Sequence, residues 1–313
     1  MYCHLLVPVD GTDASVEALG QAVEFAQSIG ARITFCPLPA GPDASCPEAE
    51  ADGLAQRTDG DVTWELLARA EAAARAQGVP CSLALPDVGA PTPVASTARA
   101  HGCDLICVAP RRLVSSNGTS AHGATTIDGG NIAVLTCAVD SRPTVIQAIG
   151  ILLAGQRTIA AHLHAALRAA RMANGLDRHC GAASLQEIAS HLRELQRSKH
   201  HSMTEALFAR LRAHTSAVDA ELDELGRRHQ RATQILDELT PLIARHDESA
   251  ATGLRLEESL RACAQFTWEN MGRKEGVVLP AARRYLSDAD WNALARAFDS
   301  GSADEPPHSA GGA

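Results

Sequence analysis

The sequence predicts two folds in one chain: an α/β domain with a parallel sheet, followed by an all-α domain that forms an antiparallel four-helix bundle. The first half alternates short β-branched runs with helical patterns, whereas the second half shows helical spacing of apolar residues throughout. The chain has 313 residues, which is long for a single hydrophobic core. We therefore expect two domains, with cores built mainly from Ala, Leu, Val and Ile because only 3% of the residues are aromatic.

The first half begins with the strand pattern HLLVPVD, the turn GTD and the helical pattern ASVEALGQAVEFAQSIGA, which ends at a glycine. Residues 39–60, rich in Pro, Gly, Ala and Asp, predict a surface loop. The remaining patterns alternate between strand and helix: ARITFCPL, DVTWELLARAEAAARAQGV, CSLALPDVG, PTPVASTARAHGC, DLICVAP and IAVLTCAVD. Such alternation favours a parallel sheet with helices on both faces, and these sheets bind ligands at the carboxyl ends of their strands.

Three stretches, HLLVPVDGTDASVEALGQAVEFAQSIGARIT, GCDLICVAP and IAVLTCAV, resemble the universal stress protein family over about residues 1–139. Family members that bind ATP carry the glycine pattern G-x2-G-x9-G-[ST], in which backbone amides approach the phosphates closely. Here that frame contains Ala109, Arg112 and His122, with Gly123 one place late. The glycines are missing, which argues against inherited ATP binding.

Three residues are nevertheless candidates for contact with a nucleotide. Asp10 matches the acidic residue that the family places near the adenosine, and Arg111 and Arg112 are able to meet a phosphate. The alternatives are simpler. An Asp after a first strand is an ordinary turn residue, and two arginines in a loop are usually solvated charges.

Residues 142–144 mark the junction, and the sequence predicts domains at 1–142 and 146–300, followed by a disordered tail at 301–313. Helical spacing then runs through a series of long segments: VIQAIGILLAGQRTIAAHLHAALRAARMA, SLQEIASHLRELQRSKHHSMTEALFARLRAH, HTSAVDAELDELGRRHQRATQILDELTPLIARH and ESAATGLRLEESLRACAQFTWENMGRKEGVVLPAARRYL. SDADWNALARAFDS predicts a short fifth helix. Long helices with short connections favour a bundle.

A His-Glu pair raises the question of a metal site. His201 and Glu205 are four residues apart, so they share one face of a helix. Imidazole and carboxylate together suit non-haem iron, with open positions for oxygen or another small ligand. The same spacing is also typical of an ordinary contact at a helix surface.

The stretches ILLAGQRTIAAHLHAAL, LRELQRSKHHSMTEALFARLRAHT, ELDELGRRHQRATQILDEL and FTWENMGRKEGVVLPAARRYLSDADWNALARAF resemble the hemerythrin-like HHE cation-binding domain. The resemblance extends over about residues 149–298. It implies five candidate metal ligands: His200, His201, Glu205, His229 and Glu275. The match of Glu205 requires a one-residue deletion before Leu207; without it, Thr204 takes the carboxylate position.

Several family ligands are replaced in this chain. The histidine of the first helix falls on Gln156, and both histidines of the fourth helix are replaced, by Thr267 and Asn270. Lys274 and Gly276 stand where the family has two of its three acids. A lysine beside a cation repels it, so a complete di-iron site is not expected. Iron in an incomplete site and no metal at all both remain open.

Composition and the absence of motifs exclude other classes of function. The net charge is -9 without a basic run, which argues against a nucleic-acid partner. No apolar run is expected to span a membrane, and the protein is expected to be cytoplasmic. The nine cysteines form no C-x-x-C pair and are expected to be reduced. No nucleophile elbow, Walker loop or dinucleotide motif is present, so we do not expect an enzyme.

The sequence therefore predicts a cytoplasmic stress-response or sensor protein whose bundle binds iron and responds to oxygen, nitric oxide or redox state. One alternative is a metal-free interaction scaffold with a degenerate hemerythrin site. A second is a universal stress protein that senses nucleotide, here ATP. The resemblance also implies a homodimer formed through the last strand, IAVLTCAV.

Overall fold

A computed structural model of the protein describes residues 1–38, 59–85, 94–109, 131–174, 185–193, 199–245 and 250–302. Most of the predicted loop at 39–60 lies outside these ranges, and its last two residues begin a helix. Arg111 and Arg112 also lie outside the described residues, as does most of the predicted tail.

The N-terminal half is a parallel five-stranded sheet with the order β3-β2-β1-β4-β5, which confirms the predicted α/β fold. The strands are β1 His4–Val9, β2 Arg32–Pro37, β3 Cys81–Leu83, β4 Leu105–Val108 and β5 Ala133–Thr136. The central strand β1 pairs with β2 through Leu5 and Ile33, and with β4 through Leu5 and Leu105. β5 lies at one edge, and its residues are largely exposed.

Helices α1 Asp13–Ile29, α2 Asp59–Ala76 and α3 Val94–Ala100 cover the sheet. Side chains alternate between the two faces of a strand. Leu5 and Val7 of β1 pack in one core with α1 and α2, whereas Leu6 packs in another core with α3. Both faces of β1 are therefore buried, which explains its continuous apolar run.

The C-terminal half is helical in all its described segments. The helices are α4 Pro143–Ala173, α5 185–193, α6 Lys199–His214, α7 Asp219–Ala244, α8 Ala250–Arg273, α9 Leu279–Tyr285 and α10 Asp288–Ser302. A π-helical turn, Lys274–Val278, joins α8 to α9. The sequence pattern treats α5 and α6 as one helix, but the residues between them lie outside the described ranges. α10 ends at Ser302, whereas the predicted tail begins at residue 301.

The expectation that no segment is long and apolar enough to cross a membrane is wrong for helix α4. Residues Pro143–Met172 meet both criteria of length and composition. Many of their apolar side chains, such as Leu153 and Leu163, are buried in the core. A core helix of a bundle has a composition similar to that of a membrane span, and here neighbouring helices cover a large part of it.

Two glycines allow α2 of the first half to lie directly against α8 and the π turn of the second half. A Cβ atom added at Gly272 would clash with the backbone of Arg69. One added at Gly276 would lie 2.5 Å from the Cβ of Ala73, one turn further along α2. The glycine at position 276, where the HHE family has an acid, therefore serves this close approach of backbones.

The π turn also accommodates Pro280, which the sequence predicts to interrupt the fourth helix. Proline lacks the N–H that would bond to the carbonyl four residues earlier, and its ring crowds that carbonyl. The carbonyl in question belongs to Gly276, and it accepts a hydrogen bond of 2.5 Å from Nε2 of Gln77. A residue of the first half thus satisfies the group that proline leaves unpaired.

We predict opposite effects of the same substitution at two helical glycines. Gly276→Ala should destabilise the protein by about 1–3 kcal/mol, because its methyl group overpacks the contact with Ala73. Gly226 in α7 has no atom near its added Cβ, so Gly226→Ala should stabilise by about 0.5–1 kcal/mol through helix propensity. Denaturant unfolding of both variants measures the two effects. Equal effects of the two substitutions would contradict the close contact.

Candidate functional site

A cavity of about 100 Å³ lies in the helical half, between α4, α6, α7, α8 and the π turn. Four of the five predicted metal-ligand residues line it: His200, His201, Glu205 and His229. The other lining residues are Ile159, Thr204, Phe208, Leu225, Ala232, Thr267, Asn270, Met271 and Lys274. Glu275, the fifth predicted ligand, is not among them.

His201 of α6 and His229 of α7 meet face to face at this cavity. Their ring centroids are 4.0 Å apart, and the ring planes differ by only 7°. The lone pair of a neutral imidazole lies in the plane of its ring, so a ligated metal must lie close to that plane. Two stacked, parallel rings do not direct their lone pairs at one point. The predicted meeting of these residues is present, but the rings are not placed to share an ion.

His200 is wedged between α6 and α4. Its Nδ1 lies 2.5 Å from where a Cβ of Gly155 would be, so the glycine makes room for the ring. Both ring nitrogens are buried, and neither has a hydrogen-bond partner among the residues that the structure describes. Burial, together with the nearby Lys274 and His201, lowers the pKa of His200 to about 3. The imidazole is therefore neutral at pH 7.

Lys274 brings a positive charge to the cavity. Burial lowers the pKa of this lysine to about 8, while Glu275 opposes that effect. The side chain forms no hydrogen bond or ion pair within the described part of the chain. The pKa of His229 is lowered by burial first and then by His201, while the carboxylate of Glu205 raises it.

The carboxylate of Glu275 points away from the cavity, into the contact between the two halves. It is 1% exposed and accepts two hydrogen bonds from the guanidinium of Arg69, from Nε at 3.2 Å and from Nη2 at 2.5 Å. Arg69 also donates to Glu65 at 2.8 Å, and Glu65 lies 2.7 Å from Nε2 of His164. Glu275 is thus occupied by a buried ionic network that joins α2, α4 and the π turn.

Protein families match the two halves separately. Residues 1–120 match the Universal stress protein family, and residues 149–282 match the Hemerythrin HHE cation binding domain. The chain joins a universal stress protein domain to a hemerythrin HHE domain. Among solved structures, a universal stress protein family member from Burkholderia pseudomallei is 22% identical, covering 44% of this chain and 97% of its own, with a TM-score of 0.31. The search of curated proteins found no match.

Two of the three substituted histidine positions of the hemerythrin HHE domain make hydrogen bonds of their own. The hydroxyl of Thr267 donates to the Cys263 carbonyl at 2.9 Å, and the amide oxygen of Asn270 accepts from Nε of Arg228. The third, Gln156, is buried, and its Oε1 has no hydrogen-bond partner among the described residues. None of these three side chains is placed as a replacement for an imidazole ligand.

The residues of the hemerythrin HHE domain do not fit a di-iron centre. Within the described ranges, no group of three or more His, Cys, Asp or Glu side chains is arranged to hold a metal ion. His201 and His229 are stacked, Glu205 is largely exposed and Glu275 is bound to Arg69. The ammonium group of Lys274 adds repulsion for any cation in the cavity.

Asp10 of the universal stress protein domain has a local structural role. Its Oδ1 accepts hydrogen bonds from the backbone N–H of Thr12 at 3.0 Å and from the Thr12 hydroxyl at 2.7 Å. Thr12 in turn accepts from the N–H of Ser15 and caps α1. Asp10 therefore organises the turn between β1 and α1. Binding of nucleotide by Asp10, Arg111 and Arg112 stays a prediction.

The buried network that joins Arg69, Glu65 and His164 was not predicted from the sequence. Glu65 and Arg69 are four residues apart on α2, a spacing that usually marks a solvated pair on a helix surface. Arg69 is instead 4% exposed, and its second partner lies 206 positions away. Spacing along one helix gives no sign of such a distant contact.

We predict that acid destabilises the folded protein partly through His200. The ordinary pKa of 6.5 falls to about 3 on folding, so the unfolded chain binds a proton that the folded state excludes. The stabilisation is complete above about pH 6.5 and is lost as the pH falls toward about 3. Denaturant unfolding at several pH values should therefore show a steeper loss for the wild type than for His200→Asn.

The exposed His101 provides the matched control. His101→Asn should follow the pH dependence of the wild type. A wild type and a His200→Asn variant with parallel pH profiles would show that the buried ring does not contribute.

Proposed function

We propose that the protein is a non-catalytic, cytoplasmic stress-response protein whose hemerythrin HHE domain senses a small ligand and signals its presence to the universal stress protein domain. The two family matches support a stress-response sensor. The proposed coupling between the two domains rests on one observation. Lys274 and Glu275 are consecutive residues of the π turn, and Lys274 lines the cavity while Glu275 bonds to Arg69 of the other domain.

The geometry of a helix explains why consecutive residues face different surroundings. Successive side chains on a helix point in different directions around its axis. Lys274 therefore lines the cavity while Glu275 reaches Arg69 on α2. A rotation or shift of this single turn moves both side chains together. π-Helical turns are uncommon and frequently occur at functional sites.

The contact beyond Glu275 is suited to transmit such a shift. The carbonyl of Gly276 accepts from Gln77, and the added Cβ at Gly276 would overlap Ala73, so the π turn has no free space against α2. Closely packed contacts respond by adopting a different arrangement rather than by gradual deformation. Occupancy of the cavity is then communicated to α2 and to the sheet that it covers.

The exposed edge of the sheet supports the proposal of a homodimer. Among the described residues, no strand pairs with the outer side of β5, and Leu135 on this strand is 38% exposed. An exposed strand edge is a template for pairing with another chain. We propose that two universal stress protein domains pair along β5, so that the signal from each bundle reaches a shared platform.

The coupling predicts that a change in the cavity alters the dynamics of α2. Lys274→Met removes the charge from the cavity and leaves the side chains that form the Arg69–Glu275 hydrogen bonds unchanged, and it should change amide hydrogen exchange in α2, residues Asp59–Ala76. Hydrogen exchange followed by mass spectrometry of the full chain measures this. The matched control is Arg255→Met, an exposed cation on α8, which should leave α2 unchanged.

Two results would contradict the coupling. One is an unchanged exchange pattern in α2 for Lys274→Met together with altered exchange around the cavity. The other is an equal change in α2 for Arg255→Met, which would attribute the effect to α8 as a whole.

Iron sensing is the second candidate, and the contact between His201 and His229 is the observation that favours it. Both imidazoles are able to act as ligands when neutral, and Glu205 lies on the same cavity. A response to oxygen, nitric oxide or redox state would require these side chains to rearrange around an ion. Stoichiometric iron in the purified protein would favour this candidate. No contact among the described residues favours ATP sensing over the small-ligand sensor or over iron sensing.

A further inference from the structure

The cavity of the hemerythrin HHE domain is lined by a cation, Lys274, that forms no direct ion pair with a carboxylate of the described residues. Lys274 forms no ion pair with any described residue, because Glu275 beside it is bound by Arg69. Glu205 also lines the cavity but forms no ion pair with Lys274 in the described ranges. Lys274 is partly buried, and the charge of Glu275 offsets only part of the cost of its burial. A bound counter-ion would reduce the remaining cost.

Two other polar groups at the cavity are hydrogen-bond donors, while the one carboxylate among its lining residues, that of Glu205, is largely exposed to solvent. The amide oxygen of Asn270 is engaged by Arg228, so its NH₂ group is the end that remains as a donor. Both ring nitrogens of His200 are buried and have no partner within the described ranges, and a neutral imidazole always carries one N–H. Lys274, Asn270 and His200 thus supply donors, whereas a metal ion would need lone pairs.

The hydroxyl groups of the cavity do not alter this balance. Thr204 donates its proton to the carbonyl of His200 at 2.8 Å, and Thr267 donates to that of Cys263 at 2.9 Å. Each hydroxyl is therefore held within its own helix. The apolar residues Ile159, Phe208 and Met271 complete the wall. An apolar surrounding strengthens charge-assisted hydrogen bonds to a bound ion.

The size of the cavity limits the ligand to a few atoms. Its volume of about 100 Å³ suits an ion such as a carboxylate, nitrate or phosphate and is too small for a nucleotide. Oxyanions of this size carry several acceptor oxygens around one centre. Donors from three separate residues are able to converge on such a group, whereas a spherical halide would use fewer of them.

We propose that this cavity binds a small oxyanion, with the Lys274 ammonium as its counter-charge and the amide of Asn270 and a ring N–H of His200 as hydrogen-bond donors. The inference rests on the proposed function only in that the cavity is the sensing site. Lys274 replaces an acid of the HHE family, and this replacement reverses the charge that the cavity prefers. The same lysine places the bound ion next to the turn that carries Glu275.

Isothermal titration calorimetry of the full chain tests the proposal. Acetate, nitrate and phosphate are titrated separately at constant ionic strength, and Fe²⁺ is titrated under anaerobic conditions. At least one oxyanion should bind saturably with one site per chain, and Fe²⁺ should not. Lys274→Gln should weaken oxyanion binding about tenfold or more because a charge-assisted hydrogen bond is lost. The exposed Arg255→Gln on α8 should bind as the wild type does.

Further variants keep the test decisive if Lys274→Gln fails to fold by circular dichroism. Lys274→Arg keeps the charge and should retain binding, whereas Asn270→Ala removes one donor and should weaken it. The relative affinities of acetate, nitrate and phosphate identify which charge and shape of oxyanion the cavity prefers.

Three outcomes would overturn the inference: no saturable binding of any oxyanion, equal oxyanion affinity of the wild type and Lys274→Gln, or stoichiometric binding of Fe²⁺ by the wild type. The proposed coupling is judged separately, from hydrogen exchange in α2. If no oxyanion binds but hydrogen exchange in α2 still responds to Lys274→Met, only the proposed class of ligand is wrong. If an oxyanion binds but hydrogen exchange in α2 does not respond, only the proposed coupling is wrong.

Discussion

The structure depends on one buried guanidinium, that of Arg69, held between the carboxylates of Glu65 and Glu275. Burial opposes the charge on Arg69, but Glu275 and Glu65 outweigh it and raise the pKa of the arginine. Burial raises the pKa of Glu275 in turn, while Arg69 opposes that shift. None of the three charges is tolerable alone in this position, because removing one partner of a buried pair costs about 3–5 kcal/mol. The pair therefore sets the register of α2 against the π turn.

The loss of a metal ligand and the gain of a domain contact are consequences of the same arrangement. Glu275 has the sequence position of a hemerythrin ligand, yet its carboxylate is taken by the universal stress protein domain. Gly276, where the family has a further acid, allows α2 to approach closely enough for that bond. Lys274 then remains as the charged group of the π turn that lines the cavity. The fused domain has thus changed the chemistry of the bundle through three consecutive residues.

Sequence patterns were sufficient to predict the sheet, the helices of the second half and the proximity of His201 and His229. These features depend on local periodicity or on family spacing, both of which are visible in one sequence. The role of Glu275 was not predictable in this way, because its partner Arg69 lies 206 positions earlier and belongs to the other domain. The stacking of the two imidazoles also escaped prediction, since spacing brings rings together without giving their orientation. Composition likewise fails to distinguish the buried helix α4 from a membrane span.

A double-mutant cycle between Arg69 and Glu275 tests the central claim, that Glu275 serves the domain contact, most directly. Arg69→Met, Glu275→Gln and the double variant are compared by denaturant unfolding, with the exposed pair Arg231 and Glu238 as the control cycle. The account predicts a coupling free energy of about 2 kcal/mol or more at the buried pair, and below about 0.5 kcal/mol at the exposed pair. Additive effects of Arg69→Met and Glu275→Gln would contradict it.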